Sequence, residues 1–455
     1  MESLPTDILV ELLSRVPVES VLECKLVCKR FGSLIRRSEF TKMHLRRQLN
    51  HLHGSDHDGN DNKVEEPCLF FACRISMSGN RTLLFNGGQV SDRISVDEKY
   101  IYNQNLKRIY HPRMHNNISY NHLVGSCNGL VCAFQHHHLV IDPIYICNPL
   151  TREYVYLPQL VLNEDDVDPD QLGRVKGGEV DMYGRLASGF GYVRSTNEYK
   201  VVRIHYPNDG FADGNVEVYI LGSGCGWRAT GRVFYGLEGK GTYANDAIYW
   251  IKQDKLVVAF DLANEEFRFL PVPSGMENRT CGLVVLGRRL CLYIDWFRAV
   301  EICSLMESSD SKETWCTEFV IDLFEAVTGF RGLKLQPILL TKNQEIIFLC
   351  DESVLYSYDT KTTILKMISN DAPTDYIRHV EAIAHMNTFA SLKAMGENSK
   401  RYTTALPRRG PRPVRTPWDD VADEVYRVAP GEEIDTACFG FEPFANEVDG
   451  VALWI

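Results

Sequence analysis

The sequence Cys147-Asn-Pro-Leu-Thr-Arg-Glu-Tyr-Val-Tyr-Leu-Pro158 occurs in this chain in three related forms. The second form is Phe260-Asp-Leu-Ala-Asn-Glu-Glu-Phe-Arg-Phe-Leu-Pro271, 113 positions later, and the third and weaker form is Tyr358-Asp-Thr-Lys-Thr-Thr-Ile-Leu-Lys-Met367, after a further 98. Each form joins two runs of β-branched and aromatic residues through a short polar turn. The pattern therefore predicts a strand, a tight turn and a second strand each time.

A second repeat alternates with the first. Val216-Glu-Val-Tyr-Ile-Leu221 recurs 84 positions later as Val300-Glu-Ile-Cys-Ser-Leu305. Half of the three repeat distances is about 56, 49 and 42 residues, which is close to the roughly 40 to 50 residues of one four-stranded propeller blade. Two interleaved types of blade explain these distances better than a β-sandwich does. We expect a large, all-β, β-propeller-like domain and leave its number of blades open.

The all-β pattern fills most of the chain. Short apolar and aromatic runs, separated by Gly, Asn, Asp and Pro, continue over residues 67–395, and the acidic insertion Glu164–Arg185 predicts a long loop. Residues 396–455 lose this pattern, because Lys400–Arg415 holds six Lys or Arg and an Asp/Glu-rich end follows. We interpret residues 396–455 as a flexible charged tail.

Residues 1–47 predict a small all-α unit of two or three short helices. Apolar residues recur there at spacings of three and four, and Pro5 and Pro17 stand where helices begin or end. Such a small unit buries too little of its surface to enclose every apolar side chain, which indicates that a partner covers one face. The polar residues 48–66, rich in Gly, Asn and Asp, mark a linker or a frayed helix end.

Composition limits the class of protein. Of 455 residues, 44% are hydrophobic and 24% are charged, which is typical of a globular chain, and no run is apolar enough for a membrane helix or a signal peptide. The fourteen cysteines are scattered without a Cys-x-x-Cys pair, so we interpret them as reduced and buried. We expect a soluble protein of the cytoplasm, the nucleus or both, with no membrane partner.

Charge is distributed unevenly between the two predicted domains. The formal net charge is −11, whereas residues 1–47 carry nine Lys or Arg against six Asp or Glu. An acidic chain lacks the basic field with which proteins hold nucleic acid, so we expect no nucleic-acid partner.

Three motifs invite a chemical interpretation but fit turns better. His136-His-His138 lies in a strand-like run, where alternate side chains face opposite sides and at most two could bind one metal ion. Gly125-Ser-Cys-Asn-Gly129 presents Cys127 as a nucleophile, yet it precedes a strand, and Gly222-Ser-Gly-Cys-Gly226 is too short for a phosphate loop. We therefore predict no catalytic residue, no metal ion and no cofactor.

Ordered motifs in the first 47 residues closely resemble an F-box. They are Leu4-Pro5-Thr-Asp7-Ile8-Leu9, Leu12-Leu13-Ser-Arg15-Val16-Pro17-Val18, Ser20-Val21-Leu22, Lys25-Leu26-Val27-Cys28-Lys29-Arg30-Phe31 and Leu34-Ile35. The β region resembles the F-box-associated domains of plant F-box proteins through six further motifs. These are Gly125-Ser-Cys-Asn128-Gly129-Leu-Val-Cys, Asn148-Pro-Leu-Thr-Arg152, Gly189-Phe-Gly-Tyr192, Glu198-Tyr-Lys-Val-Val-Arg203, Ala247-Ile-Tyr-Trp250 and Ala259-Phe-Asp-Leu262.

The resemblance implies a non-catalytic substrate receptor of an SCF-type (Skp–cullin–F-box) ubiquitin ligase. Residues 1–47 would bind a Skp-family adaptor, and through it a cullin–RING ligase, while the β domain would bind a client protein through residues that the sequence does not reveal. The implied adaptor-binding residues are Leu4, Pro5, Ile8, Leu9, Leu12, Leu13, Val21, Leu22, Lys25, Val27, Cys28 and Phe31. Lys25, Lys29 and Arg30 would form a charged rim. Phe31 stands where the family usually has Trp, which keeps an aromatic ring but loses an indole N–H.

Other functions stay open beside this one. The apolar residues of the helices could simply form a small core packed on the β domain. The propeller could bind a small ligand or a sugar, as an enzyme whose carboxylates converge in a central channel. The chain could also be a scaffold that binds the adaptor without degrading a client, or a receptor in pollen recognition, as some similar plant F-box proteins are.

Overall fold

The structure is a computed structural model of the chain. It describes residues 4–53, 67–75, 81–89, 107–109, 123–137, 140–160, 175–176, 179–180, 185–207, 213–276, 279–296, 298–307, 313–322, 334–369 and 377–401. Most of the acidic insertion and nearly all of the expected tail lie outside the described residues.

Four helices form the N-terminal unit, which we call the helical head (residues 4–53). They are α1 (Thr6–Leu13), α2 (Val18–Val27), α3 (Lys29–Ile35) and α4 (Ser38–His53). Pro5 and Pro17 stand immediately before α1 and α2, where a missing N–H costs nothing because the first helical N–H groups have no partner in the helix. Cys28 caps the N-terminus of α3, since its Sγ accepts a hydrogen bond from the backbone N–H of Phe31 at 3.4 Å.

Strands account for the rest of the described chain. They are β1 (Cys68–Ile75), β2 (Arg81–Gln89), β3 (Lys107–Ile109), β4 (Leu123–Cys127), β5 (Leu130–His137), β6 (Val140–Asn148), β7 (Glu153–Tyr156), β8 (Val175–Lys176), β9 (Glu179–Val180), β10 (Arg185–Val193), β11 (Glu198–Tyr206), β12 (Gly214–Ile220), β13 (Trp227–Val233), β14 (Gly239–Lys240), β15 (Thr242–Ala244), β16 (Ala247–Ile251), β17 (Val257–Asp261), β18 (Glu266–Leu270), β19 (Thr280–Leu286), β20 (Arg289–Asp295), β21 (Ala299–Glu307), β22 (Glu313–Asp322), β23 (Leu335–Leu340), β24 (Glu345–Cys350), β25 (Val354–Asp359), β26 (Ile364–Ser369), β27 (Ile377–His385) and β28 (Lys400–Arg401). The predicted sequence of short helices followed by an all-β domain is confirmed.

Within the described residues, the strands form six sheets of four or five strands, besides the pair β8–β9. We number them as blades: β27-β1-β2-β3 is blade 1, β4 to β7 with β28 is blade 2, β10 to β13 with β14 is blade 3, β15 to β18 is blade 4, β19 to β22 is blade 5 and β23 to β26 is blade 6. The innermost strands contact one another in a closed cycle, β27, β4, β10, β15, β19, β23 and back to β27. This cycle is a β-propeller, closed where β27, from the end of the domain, pairs with β1 from its beginning.

The sequence repeats correspond to equivalent hairpins in alternate blades. The three forms of the first repeat join the third and fourth strands of blades 2, 4 and 6, and the two forms of the second repeat lie in the third strands of blades 3 and 5. In each hairpin turn, the first residue uses a side-chain oxygen to accept bonds from the N–H groups two and three positions later. These first residues are Asn148, Asp261 and Asp359.

The Leu-Pro pair that ends the first two forms of the first repeat also has a structural role. The indole N–H of Trp227, at the start of the outermost strand of blade 3, donates to the carbonyl of Pro158 at 2.7 Å. The indole N–H of Trp315, in blade 5, donates to the carbonyl of Pro271 at 2.6 Å. The repeated Leu-Pro therefore gives each blade a carbonyl that accepts a hydrogen bond from the outermost strand of the next blade.

Two elements extend beyond the expected domain boundaries. Helix α4 continues to His53, into the segment 48–66 that was expected to be a linker or a frayed helix end, and the buried Gln48 donates from this helix to the carbonyl of Asn387. Residues 396–401 were expected to belong to a flexible tail, yet Glu397 bonds to blade 3 and β28 pairs with β7 of blade 2. Backbone pairing and a bound carboxylate thus extend the ordered part of the chain beyond residue 395.

The cysteines match the expectation only in part. All thirteen that the structure describes are free and eight of them are buried, but Cys28, Cys225 and Cys316 are exposed. Burial in apolar surroundings raises the pKa of the Cys127 thiol, so the thiolate that a nucleophile requires is disfavoured there.

Candidate functional site

The outer surface of the helical head is unusually apolar. Four large aliphatic side chains there are exposed to solvent: Ile8 (47%), Leu12 (51%), Leu26 (86%) and Val27 (72%). Ile8 and Leu12 lie one turn apart on α1, whereas Leu26 and Val27 end α2. Exposed apolar groups concentrated in so small a unit are typical of a surface that a partner covers.

The predicted adaptor-binding residues fall into three groups. Pro5, Ile8, Leu12, Val27 and Cys28 are exposed; Leu4, Leu22, Lys25 and Phe31 are half-buried; Leu9, Leu13 and Val21 are buried. The first two groups present surface to a partner, while the buried three can act only by holding the helices in place.

Leu26 was missing from the predicted set although it is the most exposed of these side chains. The sequence contained part of the signal, apolar residues on two faces of α2, but did not show which face is buried. Helix α2 carries apolar residues on two faces, since Val18 and Val21 are buried while Leu26 and Val27 are exposed. A helix with two apolar faces packs one inward and leaves the other for a partner.

Two arginines hold the helices of the head together. Arg30, which was expected in the charged rim, donates to the carbonyl of Leu4 at 2.6 Å and so ties α3 to the start of α1. Arg47 on α4 donates to both carboxylate oxygens of Glu11 on α1, at 2.6 and 2.5 Å. The hydrogen bonds from Arg47, and then those from Arg15, hold the pKa of Glu11 below its usual value.

The inner side of the head packs on a short piece of the propeller domain, residues 387–390, which we call the junction segment. Phe389 lies in the core of the head, with its ring centroid 5.1 Å from that of His44 and 6.4 Å from that of Phe40. Asn387 donates through Nδ2 to Glu19 at 2.8 Å, and its carbonyl accepts from Gln48 at 3.3 Å. Head and propeller therefore share one apolar core at this point.

The other side of the junction segment is held by two turns of blade 2. Asn148 Nδ2 donates to the carbonyls of Thr388 at 3.0 Å and of Ala390 at 2.6 Å. The hydroxyl of Thr388 donates to the carbonyl of Asn128 at 2.8 Å. Gly129 has a φ of 87°, and a Cβ there would lie 2.0 Å from Thr388 Oγ1, so only glycine fits.

A buried carboxylate secures the residues that follow. Glu153 accepts hydrogen bonds from the hydroxyl of Ser391 at 2.8 Å and from Arg401 at 2.7 Å. Further on, Glu397 accepts from the backbone N–H of Gly222 at 2.7 Å. The Gly222–Gly226 motif and the end of the Gly125–Gly129 motif, Asn128-Gly129, are thus turns that contact the C-terminal part of the domain.

The opposite end of the propeller is not covered by the head. The junction segment meets blade 2 where β4 and β6 end, whereas Phe234 and Tyr235 follow the end of β13, where β10 and β12 begin. Phe234 is 72% exposed and Phe269 of blade 4 is 53% exposed. The rings of Tyr235 and Phe269 lie 5.2 Å apart, which makes an exposed aromatic cluster between blades 3 and 4.

Charged groups on β27 of blade 1 contact three other blades. His379 on β27 bonds through Nδ1 to Glu352 at 2.5 Å, and its Nε2 lies 3.6 Å from Glu381. Glu381 in turn accepts from the backbone N–H of Leu123 at 2.8 Å and lies 3.9 Å from the ammonium of Lys240. These carboxylates hold neighbouring strands together.

Among the described residues, no group of three or more His, Cys, Asp or Glu side chains is arranged to hold a metal ion. The same part of the chain contains no helix long and apolar enough to span a membrane. The His136-His-His138 run lies at the end of β5, and its third histidine falls outside the described residues.

Comparison with known families agrees with both parts of the structure. The F-box domain matches residues 1–43, and the F-box associated beta propeller domain matches residues 83–391. The chain is 25% identical over 409 residues to F-box protein At3g07870 of Arabidopsis thaliana, covering 79% of this chain and 86% of that protein. It is 24% identical over 374 residues to F-box/LRR-repeat protein At2g43260 of the same plant, covering 80% and 79%. F-box protein CPR1, also from this plant, is 21% identical over 411 residues, covering 83% and 87%.

Proposed function

Because the chain belongs to the F-box proteins that carry an F-box-associated β-propeller domain, we propose that it is the substrate-recognition subunit of an SCF-type ubiquitin ligase. The helical head binds a Skp-family adaptor and, through it, a cullin–RING ligase. The propeller binds a client protein. We place this assembly in the cytoplasm or the nucleus.

In this proposal the protein makes and breaks no covalent bond itself. It holds a client beside a separate ubiquitin-conjugating enzyme, and holding two partners together raises their effective concentration. Two buried carboxylates have structural partners: Glu153 binds Ser391 and Arg401, and Asp142 lies 2.9 Å from the guanidinium of Arg203.

The observation that carries the proposal is the exposed aliphatic face of the head, Ile8, Leu12, Leu26 and Val27. These residues sit within the F-box match, on the ends of helices that the buried core holds firmly. Truncation of a central interface residue of this kind typically costs about 1 to 3 kcal/mol of binding free energy. The exposed Lys29 and half-buried Lys25 beside Leu26 would attract an acidic partner.

Client binding is proposed for the end of the propeller that the head leaves free. The junction segment occupies the turns at the other end of blade 2, so a large partner there would collide with the head and its adaptor. The free end exposes Phe234 and Phe269.

The test compares the purified full chain with a variant carrying Leu26→Ser and Val27→Ser. We expect the variant to bind a purified Skp-family adaptor about 100-fold more weakly by calorimetry, since two anchors of about 1.4 kcal/mol each correspond to a factor of ten apiece. Its melting temperature should stay unchanged because both side chains already face solvent.

The matched control is Ile364→Ser with Met367→Ser, two side chains of blade 6 that are each 50% exposed. This control should bind the adaptor as the wild type does. Equal binding by the wild type and the head variant would move the interface elsewhere, and a wild type that binds no adaptor would overturn the proposed function.

A further inference from the structure

The three repeated turns of the propeller differ in their first residue, which is asparagine in blade 2 and aspartate in blades 4 and 6. Asn148, Asp261 and Asp359 begin equivalent turns and use one oxygen in the same way, to accept bonds from backbone N–H groups of the turn. Asparagine has, in addition, an amide nitrogen that donates. In Asn148 this nitrogen makes two bonds outside the turn, to the carbonyls of Thr388 and Ala390.

Those two carbonyls flank Phe389, the residue that enters the core of the head. The chain between them is therefore held on both sides, by the amide of Asn148 from blade 2 and by the packing of His44 and Phe40 from the head. Asn148 is completely buried, so its two bonds do not compete with water. The turn needs only an oxygen, and aspartate supplies one in blades 4 and 6, so the amide serves the junction segment.

The junction segment also follows directly on β27, the strand that closes the propeller ring. Thr388 and Phe389 are three and four residues beyond the end of that strand at His385. Ser126 on β4 bonds to His385 at 2.8 Å, which fixes the point from which the segment leaves. A few residues thus connect the closed ring to the side chain that packs in the core of the head.

We propose that Asn148 and the junction segment 387–390 form a positioning joint, which fixes the direction in which the helical head projects from the propeller. Asn148 is a positioning residue in this sense, because it touches neither a client nor the adaptor-binding face. The joint itself requires no adaptor and no client. Its consequence for ubiquitin transfer rests on the proposed function, since a fixed direction sets which lysines the conjugating enzyme reaches.

The variant Asn148→Asp tests the joint without removing the turn. Its carboxylate keeps the oxygen that accepts the turn N–H groups, as in blades 4 and 6, but places an acceptor against two carbonyl oxygens. The matched control is the reciprocal change Asp261→Asn, at the same turn of blade 4. Thermal unfolding of both variants checks that the propeller is folded.

The readout is the distance distribution between two dyes, attached through genetically encoded residues at the exposed positions Lys42 on the head and Lys361 on blade 6. We expect one narrow distribution for the wild type and for Asp261→Asn, and a distribution at least twofold broader for Asn148→Asp. Acidic pH should partly narrow the distance distribution of Asn148→Asp, because protonation of the new carboxyl restores one donor. A broad wild-type distribution, or an unchanged one for Asn148→Asp, would overturn the proposal.

A second pair of variants tests the joint from the head, in case Asn148→Asp does not fold. Glu19→Ala removes the carboxylate that accepts from Asn387, and Glu23→Ala, one turn further along α2 and also exposed, is its control. Only Glu19→Ala should broaden the distribution. Equal distributions for these two variants would count against the joint.

The same variants separate this inference from the proposed function. Asn148→Asp should bind the Skp-family adaptor within twofold of the wild type, because the exposed face of the head is unchanged. In a reconstituted ligase without a client, ubiquitin placed on the chain's own lysines should spread over more positions in Asn148→Asp, as mapped by mass spectrometry. A failure of adaptor binding by the wild type would refute the ligase function and leave the distance measurement valid.

Discussion

The helical head and the propeller differ in how completely they bury their large apolar side chains. The head, with about fifty residues, buries Leu9, Leu13 and Val21 but leaves Leu26 and Val27 in water. The propeller closes six sheets into a ring, so each blade covers the faces of its neighbours, and side chains as large as Trp250 and Phe260 are fully buried. An exposed aliphatic residue therefore indicates a partner more strongly in the head than in the propeller.

The core of the head includes a residue from the propeller domain. Phe389, just after the last innermost strand of the ring, packs in that core together with Phe40. The head is therefore a small domain whose core includes an aromatic residue of the propeller domain, and we expect its stability to depend on the propeller.

The largest expected effect comes from removing that aromatic residue. Phe389→Ala should lower the free energy of unfolding by about 3 to 5 kcal/mol, since a buried aromatic ring is replaced by a cavity. Hydrogen exchange should rise in α1 to α3 as well as near the mutation. Phe234→Ala, a change at a highly exposed ring, is the control and should alter stability by no more than about 0.5 kcal/mol. Unchanged exchange in the head of the Phe389 variant would mean that the head is stable by itself.

Two histidines of β27, the strand that closes the ring, should make the stability of the protein depend on pH in opposite directions. Complete burial lowers the pKa of His385 to about 3, so the stability that its neutral form contributes is present above pH 6.5 and is lost as the pH falls. Between pH 6.5 and 5 this loss should amount to about 2 kcal/mol, and His385→Gln should remove that part of the pH dependence. Denaturant unfolding at several pH values measures it.

His379, on the same strand, should act in the opposite direction. Burial works against its protonated form, but the nearby carboxylates of Glu381 and Glu352 prevail and raise its pKa above 6.5. The stabilisation is present below pH 6.5 and is lost as the pH rises through the higher folded-state value. His379→Gln should therefore weaken the protein at pH 5.5 more than at pH 8.5. A variant whose loss of stability is the same at both pH values would contradict this assignment.

A smaller effect is expected at the turn under the junction segment. Gly129→Ala should cost about 1 to 3 kcal/mol, because the new Cβ meets Thr388 and alanine disfavours a φ of 87°. Gly224→Ala, at a φ of 72° with open space around it, controls for the backbone alone and should cost about 1 kcal/mol. Equal losses of stability for the two variants, measured by thermal unfolding, would show that Thr388 moves aside without cost.

Much of the fold could be predicted from residues close together in the chain. The repeats that begin at Cys147, Phe260 and Tyr358 predicted hairpins, and they are hairpins because an Asx-type turn between two β-rich runs is a local structure. Their spacing also predicted blades of two alternating types. The number of blades could not be obtained in this way, since it depends on how neighbouring sheets pack and on where the ring closes.

The candidate site was predicted less completely. Sequence motifs identified the head and most of its exposed residues, yet they did not separate Ile8 and Leu12, which face solvent, from Leu9 and Leu13, which are buried. Leu26 was overlooked because a pattern of apolar residues does not say which face a helix buries. The family motifs around Gly129 and Asn148 were recognised, but not their common role at the junction segment.

The amino-acid sequence by itself determined the local elements and the two-domain order: the helices that begin after Pro5 and Pro17, the repeated turns and the exclusion of Cys-x-x-Cys metal sites. These depend on backbone preferences and on spacing within a few residues. Only the tertiary structure decided which apolar residues of the head remain exposed, and that Asn148 holds a segment 240 residues away in the chain. Burial and long-range hydrogen bonds depend on what packs against a residue, which no local pattern contains.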